Sequence, residues 1–173
     1  MPADTHLRPF EEKDAAALTR LLNNPAVYRY LSARLPIPYT EAEAQDFIAR
    51  CRRGERLERA IIVNGETAGG IGCALPEADE AVYELSYWLG ESFWRQGIMT
   101  RALQLFLAEL RGLLPRGSVL RAKVFAPHVV SQRILLHAGF KQLPGFELKP
   151  MRDGLPHVTY VYDLPVGQAK ASA

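Results

Sequence analysis

Cysteine is scarce in this chain. Cys51 and Cys73 are the only two in 173 residues, too few for a disulfide framework and at no spacing that would hold a metal. They read as reduced thiols of a cytoplasmic protein. An excess of one charge is also lacking. Twenty-one basic residues against nineteen acidic ones leave a net charge of +2, too little to point to nucleic acid or an anionic membrane as a partner. No apolar run approaches the roughly 20 residues needed to span a bilayer, and no signal peptide precedes Leu7. Internal repeats and low-complexity stretches are missing, and no linker is long enough to divide the chain. What remains is one globular domain, and 48% hydrophobic residues suffice for a sizeable core.

The most informative stretch runs from 81 to 114. Ala81 to Leu89 is rich in aromatic and β-propensity residues and reads as a strand with one carboxylate, Glu84, inside it. The loop Gly90 to Gln96 follows, and a helix begins near Gly97-Ile98-Met99-Thr100. Leu103, Phe106, Leu107, Leu110 and Leu114 recur at helical spacing and lay one apolar stripe on a core. A helix start offers unpaired N–H groups and partial positive charge, and glycine lets an anion approach the backbone. With Arg95 beside it, this loop reads as a phosphate cradle.

Around that centre the remaining elements follow in order. Thr5 to Phe10 alternates as an edge strand limited by Pro9. Asp14 is placed to cap a helix through Leu22, and Asn24-Pro25 opens a second short helix over Val27–Leu31. Leu35 to Tyr39 is a stiff proline linker, and Thr40 with Glu43 forms a capping box for a third helix. Ala60 to Val63 and Glu66 to Leu75 form a hairpin about Asn64-Gly65, with Gly69, Gly70 and Gly72 suggesting a bulge. Pro76 to Glu80 turns into the central strand. Val119 to Phe125 is a strand, Val129 to Ala138 a helix ended by Gly139, and Phe140–Leu148 and His157–Leu164 two closing strands. The expected fold is mixed α/β: a mostly antiparallel sheet of six to seven strands flanked by helices, over residues 1–164. Residues 165–173 read as a disordered tail.

Two motifs carry a family likeness. Glu84-Leu85-Ser86-Tyr87-Trp88-Leu89 followed by Phe93 to Leu103, together with the element order, resembles the GNAT N-acetyltransferases, and more closely their RimJ/RimL-type branch. His128-Val129-Val130-Ser131, followed by Leu135 to Phe140, is similar to that branch's Asn-x-x-Ser helix start and closing Gly-Phe. The likeness covers roughly Leu7 to Leu164. It implies the GNAT fold, with the central strand pair splayed, and transfer of acetyl from acetyl-CoA to a primary amine in a ternary complex. The acceptor would be a protein N-terminus or a small amine, no metal would take part, and the chain would be a monomer or a homodimer. The strand at Tyr87, Trp88 and Leu89 would pair with the pantetheine arm. The N–H groups of Gln96, Gly97, Ile98, Met99 and Thr100 would hold the pyrophosphate. Glu84 stands at the general base, expected to be partly desolvated with a raised pKa unless a cation answers it. Ser131 matches the hydroxyl that protonates the leaving thiolate.

The sequence departs from the general pattern at four positions. Trp94 stands where the superfamily has Gln or Arg, and Met99 where it has Gly or Ala, both compatible with the RimJ/RimL-type version. Leu135 occupies the place of the usual tyrosine acid, and His128 replaces the usual Asn, though imidazole still donates a hydrogen bond. Each site residue also has a plainer reading. Arg95 is either a phosphate ligand or a solvated cation, Glu84 a base or half of an ion pair, Ser131 an acid or a helix cap, and His128 a cofactor contact or a loop residue. His137 and His157 read as surface or packing residues. Tyr28, Tyr30, Tyr39 and Phe47 are either core or acceptor-pocket wall. A catalytically silent acyl-CoA-binding module is the alternative to the enzyme, and nucleic-acid binding is disfavoured for want of a basic-aromatic repeat.

Overall fold

The sheet grows outward from one tight turn. In the computed structural model, which describes residues 4–76 and 81–166, Asn64 and Gly65 both adopt left-handed backbone, with φ of 49° and 85°. A two-residue hairpin needs that geometry to match strand twist. The turn joins β1's neighbour β2 (Arg56–Val63) to β3 (Glu66–Ala74), with β1 (Thr5–Arg8) on the free side of β2. The register shifts between Ile61 and Ile62, a bulge opposite the start of the glycine run. β4 (Val82–Leu89) pairs antiparallel with β3, and β5 (Val119–Phe125) lies parallel to β4. β8 (Pro156–Pro165) pairs with β5 and carries β6 (Lys141–Gln142) and β7 (Glu147–Pro150) on its far side. The expected mixed, mostly antiparallel architecture holds, with eight strands among the described residues. The stretch 140–148 is two strands, not one, because Pro144 lacks an N–H and Gly145 takes φ 83°.

Helices cover both faces. α4 (Ile98–Leu113) buries Ile98, Met99, Ala102, Leu103, Phe106, Leu107 and Leu110. It shares a core with Ile61, Ile71, Leu85, Leu120, Tyr162 and, from α5 (Val129–His137), Leu135. Each large apolar side chain withdrawn from water there contributes about 1.5–3 kcal/mol. On the other face α1 (Ala15–Leu22), α2 (Pro25–Tyr28) and α3 (Glu41–Arg52) close a second core of Phe10, Leu18, Tyr39, Ile48, Ala60 and Ile62. The capping box of α3 is in place: the Thr40 N–H donates to Glu43 at 2.6 Å and the Glu43 N–H to Thr40 Oγ1 at 3.3 Å. No helix among the described residues is long and apolar enough to cross a membrane.

Some boundaries differ from expectation. Asp14 precedes α1 but does not cap it with its side chain. Its carboxylate instead accepts from Arg8 at 2.7 and 2.9 Å, Thr67 at 2.6 Å and the Glu11 N–H at 2.8 Å. Burial alone would raise its pKa, but those donors outweigh burial and hold it down to about 2. α2 is shorter than Val27–Leu31 suggested, ending at Tyr28 with Asn24 capping Ala26 at 2.9 Å. The chain leaves the sheet later than position 165: Pro165 is the last residue of β8, and Val166 is buried and donates to the Ser118 carbonyl at 2.8 Å. The turn expected over residues 77–80 and the tail beyond 166 lie outside the described residues.

Candidate active site

The site begins where two strands part. β4 and β5 share a parallel ladder only from Val82–Leu85 with Val119–Ala122. Beyond it β4 stays with β3 as far as Leu89, while β5 stays with β8 as far as Phe125. The facing edges of 86–89 and 123–125 therefore have no ladder partner in each other. An extended chain with amide groups would find unused donors and acceptors there.

A turn leads from the end of β4 to the helix start. A short 3-10 helix, Glu91–Phe93, follows Gly90. The Trp94 indole N–H donates to the Leu89 carbonyl at 2.7 Å and ties the loop to the strand that precedes it. That carbonyl is thus engaged by the protein itself. Arg95 and Gly97 both take left-handed backbone, with φ of 60° and 73°, a disposition that turns successive N–H groups toward a common concavity. No side chain caps α4, and its ladder begins with the Arg101 N–H on the Gly97 carbonyl at 3.1 Å. The N–H groups of Ile98, Met99 and Thr100 precede that bond at a positive dipole end. A Cβ built on Gly97 meets nothing within 4 Å, so its surroundings are open. The Gln96 side chain folds back to the Ser92 carbonyl at 3.0 Å, and the Arg95 side chain is exposed.

Across the gap, α5 brings Ser131 to β4. The Tyr87 hydroxyl lies 2.8 Å from Ser131 Oγ and bridges β4 to α5. Burial pushes the Tyr87 phenol up to about 12, against the opposing pull of Ser131. The sequence assigns Tyr87 only a backbone role; the fold adds its phenol, which enters the site from β4 where Leu135 of α5 can supply none. Ser131 is buried, and Leu135 is fully buried in the core. His128 stands at the N-cap position of α5 without a side-chain cap bond. Its ring stacks on Tyr30, centroids 4.2 Å apart and planes 10° apart. Burial, then the charge of Arg29, lowers its pKa.

Glu84 and Trp88 lie on the opposite face of β4 from Tyr87. Glu84 is exposed, so the desolvation expected of it does not occur: the residue facing it on β3 is Ala74, too small to cover it. Arg121, opposite it in register, directs its guanidinium to Asp163 at 2.8 and 2.7 Å. The Trp88 indole lies over Gly70, where a Cβ would come within 2.8 Å of Nε1 and 3.2 Å of Phe10. Tyr39 is core, while Phe47 packs edge-on to Phe10 at 5.4 Å. His157 pairs with Asp153 at 2.8 Å. His137 is exposed, as a surface residue would be. With Thr100, Val130, Arg133 and Ile134 it lines an open cavity of about 390 Å³ between the first turn of α4 and α5. No group of three or more potential metal ligands occurs among the described residues.

Comparison with known proteins gives a consistent result. A family model described as an acetyltransferase (GNAT) domain matches residues 4–141. Among solved structures, RimL, a ribosomal L7/L12 α-N-protein acetyltransferase in complex with coenzyme A, superposes with a TM-score of 0.81 at 23% identity, over 94% of each chain. RimJ of Mycobacterium smegmatis in complex with CoA-disulfide gives 0.80 at 20% identity, over 97% of this chain and 85% of that one. The microcin C7 self-immunity acetyltransferase MccE, in complex with acetyl-CoA and AMP, gives 0.79 at 17% identity, over 94% and 93%. These structural likenesses bear on the fold. No curated protein sequence matches the chain.

Proposed function

From the premise that this chain belongs to the GNAT acetyltransferase family, we propose that it moves acetyl from acetyl-CoA directly to a primary amine, with a protein N-terminus as acceptor. The parting of β4 from β5 beside the Gly97-led helix start is the observation that carries this reading. It supplies an unpaired strand edge and an anion site in one continuous path. The likeness to RimL, which acts on an α-amine of a ribosomal protein, supports the choice of acceptor.

Acetyl-CoA supplies a thioester whose carbonyl carbon accepts the amine. In this reading, the backbone of Tyr87, Trp88 and Leu89 aligns the pantetheine arm, and the N–H groups of residues 96–100 with Arg95 neutralise the pyrophosphate. The nucleotide end would lie over the open cavity lined by Thr100, Arg133 and His137. Glu84, solvated on the opposite face, draws the proton from the ammonium through water and attracts the cationic acceptor. The amine nitrogen forms the new C–N bond as the C–S bond breaks. The departing thiolate takes its proton from Ser131, whose hydroxyl is in turn oriented by Tyr87. His128, with one face covered by Tyr30, lines the cofactor path from the α5 side.

Thiol release with a panel of amines, including a short peptide with N-terminal serine, tests the reading. The peptide should raise thiol release well above the amine-free rate. Glu84→Gln should lower that rate, within the 10²–10⁴-fold range roughly expected of a general base, and flatten its rising pH limb. Release at the amine-free rate with every amine would mark a silent acyl-CoA-binding module. Full activity in Glu84→Gln, with chemistry limiting, would leave proton removal to solvent.

A further inference from the structure

One arginine outside the chemistry ties down a strap across the splay. Residues 28–38 run from α2 toward α3 on the face opposite α4. Leu31 and Leu35 pack against the same core as Trp88 of β4, and Tyr30 reaches the other lip of the gap, where it stacks on His128 just beyond β5. The segment thus shares a core with β4 on one side and a ring stack with the residue that opens α5 on the other. Arg29 adds a guanidinium over the Tyr30 ring at 4.5 Å and a 2.7 Å hydrogen bond to its hydroxyl.

This strap contains little regular structure to hold it. Its own backbone supplies two turn bonds, Leu31 to Tyr28 and Leu35 to Ser32, each 3.0 Å. Arg29 and Arg34 add N–H bonds to the Pro25 carbonyl at 3.2 Å and to Ser32 Oγ at 3.2 Å, and Arg152 adds three more, from a turn more than a hundred residues later. Its guanidinium donates to the carbonyls of Tyr28 at 3.3 Å, Ser32 at 3.0 Å and Leu35 at 2.9 Å, and lies 5.2 Å from the Tyr28 ring centroid. The turn that carries it is itself braced. Met151 and Leu155 are bonded at 3.1 Å, Gly154 takes φ 76°, and Asp153 holds both the Leu155 N–H and His157. A planar fork reaching three carbonyls fixes both the position and the angle of the strap, which a single ammonium does less well.

We infer that Arg152 is a positioning residue for the acceptor: it holds the 28–35 strap as the outer wall of the acceptor entrance. The inference rests on the proposed function for the identity of what enters and for the placing of the phosphates on the α4 side. Phosphates approach from the α4 side, so the amine must arrive from the face the strap covers. A wall ordered in advance spares the acceptor the cost of ordering it on binding.

The test compares Arg152→Ala and Arg152→Lys with the parent, using the N-terminal-serine peptide and acetyl-CoA. Arg152→Ala should raise the peptide KM about tenfold, the scale of a lost charged hydrogen bond, with little change in kcat or in the KM for acetyl-CoA. Arg152→Lys should recover part of the loss, and added guanidinium ion at a few millimolar should recover part of it in Arg152→Ala. An unchanged peptide KM, or equal loss in both KM values and kcat, overturns the inference. A second readout needs no turnover. NMR titration of His128, identified by its loss in His128→Gln, should move upward in Arg152→Ala as Tyr30 lifts from the ring. An unmoved titration overturns the inference even where no amine is acetylated, whereas absence of turnover with a moved titration removes only the proposed function.

Discussion

At the scale of single residues, the site depends on positions where one atom decides. Gly97 combines left-handed backbone with open surroundings. Alanine there meets no neighbour, and its cost is backbone strain of about 1–2 kcal/mol. Aspartate adds a negative charge where phosphates are to sit. Gly97→Ala should therefore melt somewhat earlier yet keep acetyl-CoA affinity within a few-fold, while Gly97→Asp should lose it, as read by calorimetry. Equal affinity in Gly97→Asp and the parent would move the phosphates elsewhere. The hydroxyl pair of Tyr87 and Ser131 makes a second test. The expected order of turnover is parent, then Tyr87→Phe, then Ser131→Ala, with losses of a few-fold because a thiolate already leaves fairly well near neutral pH. Stopped-flow chemistry rates rank them. A larger loss in Tyr87→Phe would make the phenol the proton donor.

Elements are held to one another by a few polar knots, and that around Asp14 joins three of them. Arg8 at the end of β1, Thr67 in β3 and the start of α1 all converge on this one carboxylate. Because its folded-state pKa lies below the ordinary carboxylate value, the carboxylate stabilises the fold fully above that ordinary value. The contribution falls away as pH drops through about 2. Melting temperatures of the parent and Asp14→Asn should differ most near neutral pH and converge between about pH 4 and pH 2. A constant difference over that range would mean the knot acts by shape alone. Arg59 of β2 and Glu109 of α4 form a comparable cross-element pair on the far side of the sheet.

At the scale of the whole molecule, the eight strands and five α-helices among the described residues form one framework, and β4 parts from β5 within it. A ligand that fills this gap adds contacts on both sides and binds the folded state alone. At a hundredfold excess over its Kd, CoA should stabilise the protein by about 2.7 kcal/mol, roughly 5–10 °C for a domain of this size. A melting curve unmoved by CoA would mean that the gap is not the cofactor path.

The local pattern was a sound guide wherever a residue's role depends on its immediate neighbours. The Asn64-Gly65 turn, the Thr40–Glu43 capping box, the apolar stripe of α4 and the left-handed Gly139 stop all appear as expected. Each is decided by backbone sterics, by a side chain reaching its own helix end, or by a period of 3.6 residues, and such causes act within a few positions of the chain. The helix start at Gly97 belongs with them, which is why the centre of the candidate site was legible. Tertiary structure decided the rest. Asp14 was read as a cap, but its carboxylate turns to Arg8 and to Thr67, 53 residues away. Glu84 is exposed, not desolvated as its strand neighbours imply, because the residue facing it on β3 is the small Ala74. The approach of Tyr87 to Ser131, of Tyr30 to His128 and of Arg152 to Tyr28 spans 44 to 124 positions. No local period encodes such meetings; they follow from how far β4 runs before it leaves β5 and from where β8 returns the chain.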